Sequence, residues 1–121
     1  MNKKILVVDD EENIRLLYKE ELTEEGYDVV LAENGYKALD IARNTDVDVV
    51  VLDIKMPKID GIETLRQLKE EKRDLPVILC SAYGEYKQDF STWASDEYIV
   101  KTADLTELKA VIRNLLEKAE K

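Results

Sequence analysis

The sequence predicts a doubly wound α/β domain, in which a five-stranded parallel sheet is flanked by five helices. Short unbroken apolar runs alternate along the chain with segments in which apolar residues have helical spacing. The runs lack the alternation of polar and apolar residues, as expected for strands buried on both faces. A chain of 121 residues is long enough for one domain with a hydrophobic core. We therefore expect a single domain over residues 1–121.

Five apolar runs are predicted as the strands. Four of them are unbroken, and the fifth is shorter and flanked by charged residues, as is typical of an edge strand. In chain order they are residues 5–8, 29–32, 49–52, 77–80 and 98–100. Strands that alternate with helices in this way favour parallel pairing with helices on both faces of the sheet.

A helix is predicted after each strand. The first three helices place apolar residues on one face: Ile14, Leu17, Tyr18 and Leu22, then Tyr36, Leu39 and Ala42, then Ile62, Leu65 and Leu68. Asn34-Gly35 is typical of a hairpin turn, but helical spacing follows it, so a strand-to-helix turn is predicted. The last helix has the clearest spacing, over residues 105–119. The remaining helix is expected within residues 84–94, where the apolar residues are mostly aromatic.

Composition excludes several classes of function. The net charge of −9 argues against nucleic acid or an anionic membrane as a direct partner. The single cysteine, Cys80, cannot form a disulfide within the chain, which favours the cytoplasm. With no signal-peptide pattern and no apolar run of about 18 residues, we expect a soluble protein. The chain has no histidine, so it can supply neither imidazole catalysis nor imidazole metal ligands.

Polar residues stand at the ends of four predicted strands. Asp9 and Asp10 follow the first strand, Asp53 the third, Ser81 the fourth and Lys101 the fifth. Functional residues of an open parallel sheet collect outside the carboxyl ends of its strands. We therefore expect these five side chains to meet at one edge of the sheet.

The three carboxylates predict a metal site. Close together they repel one another, and a divalent cation relieves that repulsion. An all-oxygen site without histidine or cysteine favours Mg²⁺ or Mn²⁺. The alternative is that Asp9 or Asp10 only caps the helix that begins near Glu12. Three acids at adjacent strand ends favour the metal, with capping as a second role.

Ser81 and Lys101 indicate a phosphoryl group at the same edge. A phosphoryl group on or near Asp53 would present oxygens to the metal, to the lysine ammonium and to the serine hydroxyl. The alternatives are a surface lysine paired with a nearby acid and an ordinary loop serine.

Four short motifs extend this interpretation over the whole chain. They are VVDDE at residues 7–11, LDIKMPKIDG at 52–61, SAYGE at 81–85 and DEYIVK at 96–101. Each is modest alone, but in this order and at these spacings they are highly specific. The chain resembles the receiver domain of two-component response regulators, of the single-domain or phosphorelay type, which has a flavodoxin-like fold.

The resemblance implies a phosphoacceptor and its metal ligands. Asp53 would accept a phosphoryl group from a phosphohistidine on a sensor histidine kinase or a histidine phosphotransfer protein. Asp10 would bind Mg²⁺ directly and Asp9 largely through water, while Asp53 and the backbone carbonyl of Lys55 would complete the protein ligands. Such a chain catalyses its own phosphorylation and dephosphorylation and has no separate turnover substrate.

The resemblance also implies how the phosphoryl group is held and signalled. Lys101 would bridge to it, and Ser81 would hydrogen-bond to one of its oxygens. Tyr98 matches a switch aromatic that turns inward when the serine moves. Lys55 and Tyr83 match positions that tune the lifetime of the phosphoryl group by shielding or orienting the hydrolytic water. A downstream protein partner or an output domain outside this chain would respond to the switch.

The sequence departs from the family in two places. Thr102 follows Lys101 where the family usually has proline, so we expect a trans peptide there. The stretch from Ser81 to Lys101 is also slightly shorter than is typical of the family, and the shortage falls on the helix expected within residues 84–94.

Three other functions are compatible with a similar fold or chemistry. A flavodoxin-like cofactor-binding protein needs a phosphate loop after the first strand, where this chain has DDEEN. A haloacid-dehalogenase-type phosphatase needs a second aspartate at the position of Lys55. A degenerate receiver that acts only as a protein-interaction module is the remaining alternative, and the presence of all five site residues disfavours it.

Overall fold

The computed structural model describes residues 2–54, 56, 58–81, 97–100 and 104–119. The elements are β1 (Lys4–Val8), α1 (Glu12–Glu24), β2 (Asp28–Ala32), α2 (Gly35–Asn44), β3 (Val49–Asp53), α3 (Gly61–Glu71), β4 (Val77–Ser81), β5 (Glu97–Val100) and α4 (Thr106–Ala119). Four helices therefore lie in the described ranges. The helix expected within residues 84–94 and the peptide between Lys101 and Thr102 lie outside the described residues.

The five strands form one sheet in the order β2-β1-β3-β4-β5, and every neighbouring pair is parallel. The predicted fold class is confirmed. From β1 the chain moves outward to β2 and then returns across β1 to β3. The winding reverses between β1 and β3, so the crevice expected to bind ligands opens at the carboxyl ends of these two strands.

The core has two layers, one on each face of the sheet. Strand residues such as Leu6 and Leu52 pack with α2 and α3 on one face. Their neighbours in sequence, such as Val7 and Val51, pack with α1 and α4 on the other face. Every residue of β3 and β4 is buried. This double burial explains why the central strands have no polar alternation.

Side chains at the helix ends fix where two helices begin. Asn34 accepts a hydrogen bond from the Lys37 N–H at 2.9 Å and caps α2, so the predicted strand-to-helix turn is confirmed. Asp60 caps α3 in the same way through the Glu63 N–H at 2.9 Å. No described helix is both long and apolar enough to cross a membrane.

Candidate functional site

The carboxyl ends of β1 and β3 bring three aspartates together. Val8 pairs with Leu52 across the two strands, so the residues that follow, Asp9 and Asp53, lie side by side. One carboxylate oxygen each from Asp9, Asp10 and Asp53 lie within 4.8 Å of one another. Asp9 is 2% and Asp53 7% exposed, while Asp10 is exposed. Asp9 and Asp53 are thus largely removed from water and lie beside the exposed Asp10. Three carboxylates so close together form a set of oxygen donors suited to a hard divalent cation.

Asp9 is held at its backbone and at its side chain. Its N–H donates to the Ala32 carbonyl at 3.1 Å, and its carboxylate accepts the Glu11 N–H at 3.0 Å. Its carbonyl accepts a bond from Nη1 of Arg15 at 2.8 Å. The N-cap of α1 is Glu11, whose side chain makes no capping bond. Neither Asp9 nor Asp10 is therefore the N-cap, because the helix begins too late for them to occupy that position.

The backbone of Asp53 is enclosed by the loop that follows it. The Ile54 N–H donates to the Cys80 carbonyl at 3.1 Å, and the Gly61 N–H donates to the Ile54 carbonyl at 2.7 Å. A Cβ atom on Gly61 would collide with the carbonyl of Asp53. The start of α3 thus packs directly on the last residue of β3, and only glycine allows that approach.

Ser81 and Tyr98 lie on the strands beyond Asp53. Asp53 pairs with Cys80, so Ser81 stands one residue further toward the carboxyl edge of β4. Ser81 is 2% exposed. Tyr98 on β5 is half-buried and packs on the core layer of α2 and α3. Ser81 therefore shares the edge of the three acids, while Tyr98 lies in the edge strand, as predicted.

The other predicted site residues are Lys55, Tyr83 and Lys101. They lie outside the described residues. Their roles remain predictions from the sequence.

Tyr18 is a neighbour of the site that sequence reasoning treated only as part of the apolar face of α1. It is 4% exposed, and burial raises its pKa well above the ordinary value. Electrostatic interactions with Cys80, Asp9 and Asp53 raise the pKa of Tyr18 further, in that order. Tyr18 therefore keeps its phenol neutral under the acidic cluster. Helical spacing alone could not distinguish this position from an aliphatic one.

Arg15 is the second residue that sequence reasoning missed. Its bond to the Asp9 carbonyl spans six positions of the chain, from inside α1 back to the end of β1. A surface arginine is the ordinary expectation for a charged residue on a helix, so no sequence signal pointed to this contact.

A comparison with protein families shows to which family the chain belongs. The model of the response regulator receiver domain matches residues 5–113. The chain belongs to this family. The resemblance inferred from the four motifs is thus confirmed for the receiver domain as a whole.

Solved structures of other receiver domains share the fold. The response regulator TrrA of Thermotoga maritima, in complex with Mg²⁺-BeF, is 50% identical, with a TM-score of 0.92 over 94% of this chain and 99% of that one. TrrA in complex with the histidine kinase ThkA gives a TM-score of 0.90, again at 50% identity, over 94% of this chain and 98% of that one.

The relatives that match this chain differ in length: some are about twice as long as the chain, and one is of nearly the same length. The alkaline phosphatase synthesis transcriptional regulatory protein PhoP of Bacillus subtilis is 39% identical over 99% of this chain and 51% of PhoP. The chain spans about half the length of PhoP and of the probable transcriptional regulator ycf27 of Porphyra purpurea (49%). Sporulation initiation phosphotransferase F of Bacillus subtilis is 38% identical over 96% of this chain and 95% of that protein.

Proposed function

We propose that residues 1–121 form one receiver domain that accepts a phosphoryl group on Asp53 in a two-component system or phosphorelay. The observation that carries the proposal is the convergence of Asp9, Asp10 and Asp53 at the reversal point of the sheet. TrrA, at 50% identity, has been crystallised with Mg²⁺-BeF and with a histidine kinase, which supports a phosphohistidine on a sensor kinase or phosphotransfer protein as the donor.

Asp9, Asp10 and Asp53 would hold Mg²⁺, with Mn²⁺ as a substitute, and the backbone carbonyl of Lys55 would complete the protein ligands. The bound ion supplies positive charge that offsets both the carboxylates and the oxygens of the incoming phosphoryl group. The donor set is all oxygen, which suits a hard cation.

Asp53 is the nucleophile in this proposal. One of its carboxylate oxygens forms a bond to phosphorus as the phosphorus–nitrogen bond of the phosphohistidine breaks, and the leaving imidazole keeps the electron pair. Such transfer depends mainly on positioning and charge neutralisation. The pairing of β3 and the contact with Gly61 supply the positioning, because they hold the backbone of Asp53 in place.

The remaining site residues take the roles that the family implies. Lys101 bridges to the phosphoryl group, and Ser81 donates its hydroxyl to one of the phosphoryl oxygens. Tyr98 is the switch residue that follows Ser81 inward. Lys55 and Tyr83 would tune the lifetime of the phosphorylated state by shielding or orienting the hydrolytic water.

The receiver domain acts on itself and has no separate turnover substrate. The responding partner is a downstream protein or an output domain, since the family includes relatives of both lengths. A cytoplasmic location accords with the presence of a single cysteine, Cys80, which is buried. The acidic net charge of −9 argues against direct contact with nucleic acid or with an anionic membrane.

The test is incubation with acetyl phosphate and Mg²⁺, followed by intact mass. Wild type should gain about one phosphoryl group, which is labile as an acyl phosphate is, and Asp53→Asn should gain none. Asp74→Asn is the matched control, because it makes the same charge change at an exposed position before β4, away from the site. Labelling of Asp53→Asn at the wild-type level would refute the assignment. A wild type that takes no label would favour the degenerate interaction module.

A further inference from the structure

We infer that Arg15 is a positioning residue of the proposed metal site. Its guanidinium fixes the peptide that joins Asp9 to Asp10 and thereby sets the affinity of the site for Mg²⁺. The inference rests on the proposed function. It assigns to the metal site a cationic side chain, Arg15, that lies outside the acidic cluster.

The side chain of Arg15 turns back from α1 toward the end of β1. Its own N–H donates to the Glu11 carbonyl at 3.1 Å, so its backbone belongs to the helix. Its Nη1 donates to the Asp9 carbonyl at 2.8 Å, and the side chain is half-buried. A hydrogen bond from a charged donor is about twice as strong as one between neutral groups. Arg15 thus ties the first turns of α1 to the residue that begins the acidic cluster.

The bonded carbonyl lies in the peptide unit between two proposed ligands. A peptide unit is planar, so turning it changes ψ of Asp9 and φ of Asp10 together. Holding its oxygen therefore restrains the directions of both carboxylates. Two further hydrogen bonds of Asp9 involve backbone groups of other residues. The Asp9 N–H donates to the carbonyl of Ala32, and the Asp9 carboxylate accepts the N–H of Glu11. The bond from Arg15 comes from a side chain and can be removed by substitution.

Two effects of losing Arg15 have opposite signs. Removing a positive charge near the acids would strengthen the binding of a cation, by about twofold in a solvent-screened setting. Releasing the Asp9–Asp10 peptide would weaken binding, since residues that orient metal ligands typically contribute about 10- to 100-fold in affinity. Arg15 acts through the backbone of a ligand residue, so we expect about tenfold, at the lower end of that range. The direction of the change therefore separates the two effects.

The experiment compares the Mg²⁺ dissociation constant of variants by isothermal titration calorimetry, without a phosphodonor. Arg15→Met keeps the apolar stem and loses the charge and the donors, and Arg15→Lys keeps the charge and a donor. Arg43→Met is the control, because Arg43 makes exposed bonds to Glu71 at 2.6 and 2.8 Å between α2 and α3. We expect about tenfold weaker binding in Arg15→Met, a change within about threefold in Arg15→Lys and none in Arg43→Met.

Three results would overturn the inference. The first is unchanged or tighter binding of Mg²⁺ in Arg15→Met. The second is an equal loss of Mg²⁺ affinity in Arg15→Met and Arg15→Lys. The third is a loss of Mg²⁺ affinity in Arg43→Met equal to that in Arg15→Met. Circular dichroism would verify that each variant is folded, and Arg15→Leu replaces Arg15→Met with the same expectation if the latter does not fold. A wild type that binds no Mg²⁺ would overturn the proposed metal site itself, whereas normal wild-type binding with an unaffected Arg15→Met would overturn only the role of Arg15.

Discussion

At the scale of single residues, Gly61 shows how the backbone of the site is kept in place. Its amide closes the β3–α3 loop onto Ile54, and its Cα lies against the carbonyl of Asp53. The atoms that an added methyl group would meet belong to the backbone of Asp53 and Ile54. They cannot rotate away as the end of a flexible side chain could, so the collision must move the loop.

We therefore expect Gly61→Ala to lower the free energy of unfolding by about 3 kcal/mol, the upper part of the range for overpacking. It should also slow phosphorylation, because the displaced backbone carries Asp53. Urea unfolding measures the first effect and intact mass against time the second. Gly26→Ala is the comparison: Gly26 has φ +94 with nothing within 4 Å of the added carbon, so only strain of about 1 kcal/mol applies. Equal losses in both variants would contradict the collision.

Lys58 is a strained residue in the same loop. Its φ of 73° lies in the left-handed region, and among the described residues it is the one non-glycine with positive φ. That conformation lowers the stability of the folded state by about 1 to 2 kcal/mol for a residue with a side chain. Glycine avoids this strain. Its greater conformational freedom in the unfolded chain, however, lowers the free energy of unfolding by about 0.5 to 1 kcal/mol.

Lys58→Gly should thus raise the free energy of unfolding, by about 0.5 kcal/mol. Chemical denaturation midpoints would measure the gain. Lys19→Gly, on the exposed face of α1, should instead lose about 1 kcal/mol, because glycine is unfavourable inside a helix. A loss in Lys58→Gly comparable to that in Lys19→Gly would show that the left-handed conformation carries little strain.

At the scale of elements, α4 stabilises the fold through one buried stripe. Leu108, Ile112 and Leu116 are buried in the core layer that α4 shares with α1, and Val111 is half-buried beside them. The ends of the two helices are also joined by an ion pair between Lys109 and Glu21 at 2.9 Å. Since both side chains of this pair are partly exposed, burial of the stripe is the larger contribution.

Ile112→Ala should lower the free energy of unfolding by about 3 to 4 kcal/mol, because a fully buried side chain leaves both lost apolar contact and a cavity. Ile112 is 0% exposed, in contact with the sheet layer that contains Ile78. Val111→Ala, at the preceding residue of the same helix, should lower the free energy of unfolding by about 1 kcal/mol or less. Thermal and urea unfolding would check both values. Similar losses for the two variants would mean that α4 is not packed on this stripe.

At the scale of the whole molecule, the acidic cluster should make stability depend on metal. A ligand that binds only the folded state raises the free energy of unfolding by about 1.4 kcal/mol at tenfold excess over its dissociation constant. Mg²⁺ should therefore raise the melting temperature of the wild type, and a chelator should reverse this.

Asp10→Asn provides the sharper form of this prediction. Removing one of three repelling carboxylates should raise the melting temperature in the absence of metal. The same substitution removes a proposed ligand, so the shift on adding Mg²⁺ should largely disappear. Differential scanning calorimetry measures the melting temperatures of the wild type and of Asp10→Asn, each with and without Mg²⁺. A variant that responds to Mg²⁺ as the wild type does would exclude Asp10 as a ligand.

Much of the fold could be predicted because its signals are local. An unbroken apolar run indicates a strand buried on both faces, and spacing of three and four indicates a helix, whatever lies elsewhere in the chain. The observed strands lie within one residue of the predictions, and the polar residues Asp53 and Ser81 prove to be the last residues of β3 and β4. The placement of the acids at one edge followed from the same reasoning, because the carboxyl ends of parallel strands share an edge.

The sequence by itself determined the fold class, the order of the described elements, the family and the acids that share an edge, since each depends on short motifs and local periodicity. Only the tertiary structure decided how close those acids come, that Gly61 packs on the backbone of Asp53, and that Arg15 bonds back to Asp9. These contacts depend on the register between strands and on the angle at which each helix meets the sheet. Both are set by packing among residues far apart in the chain, which local patterns do not encode.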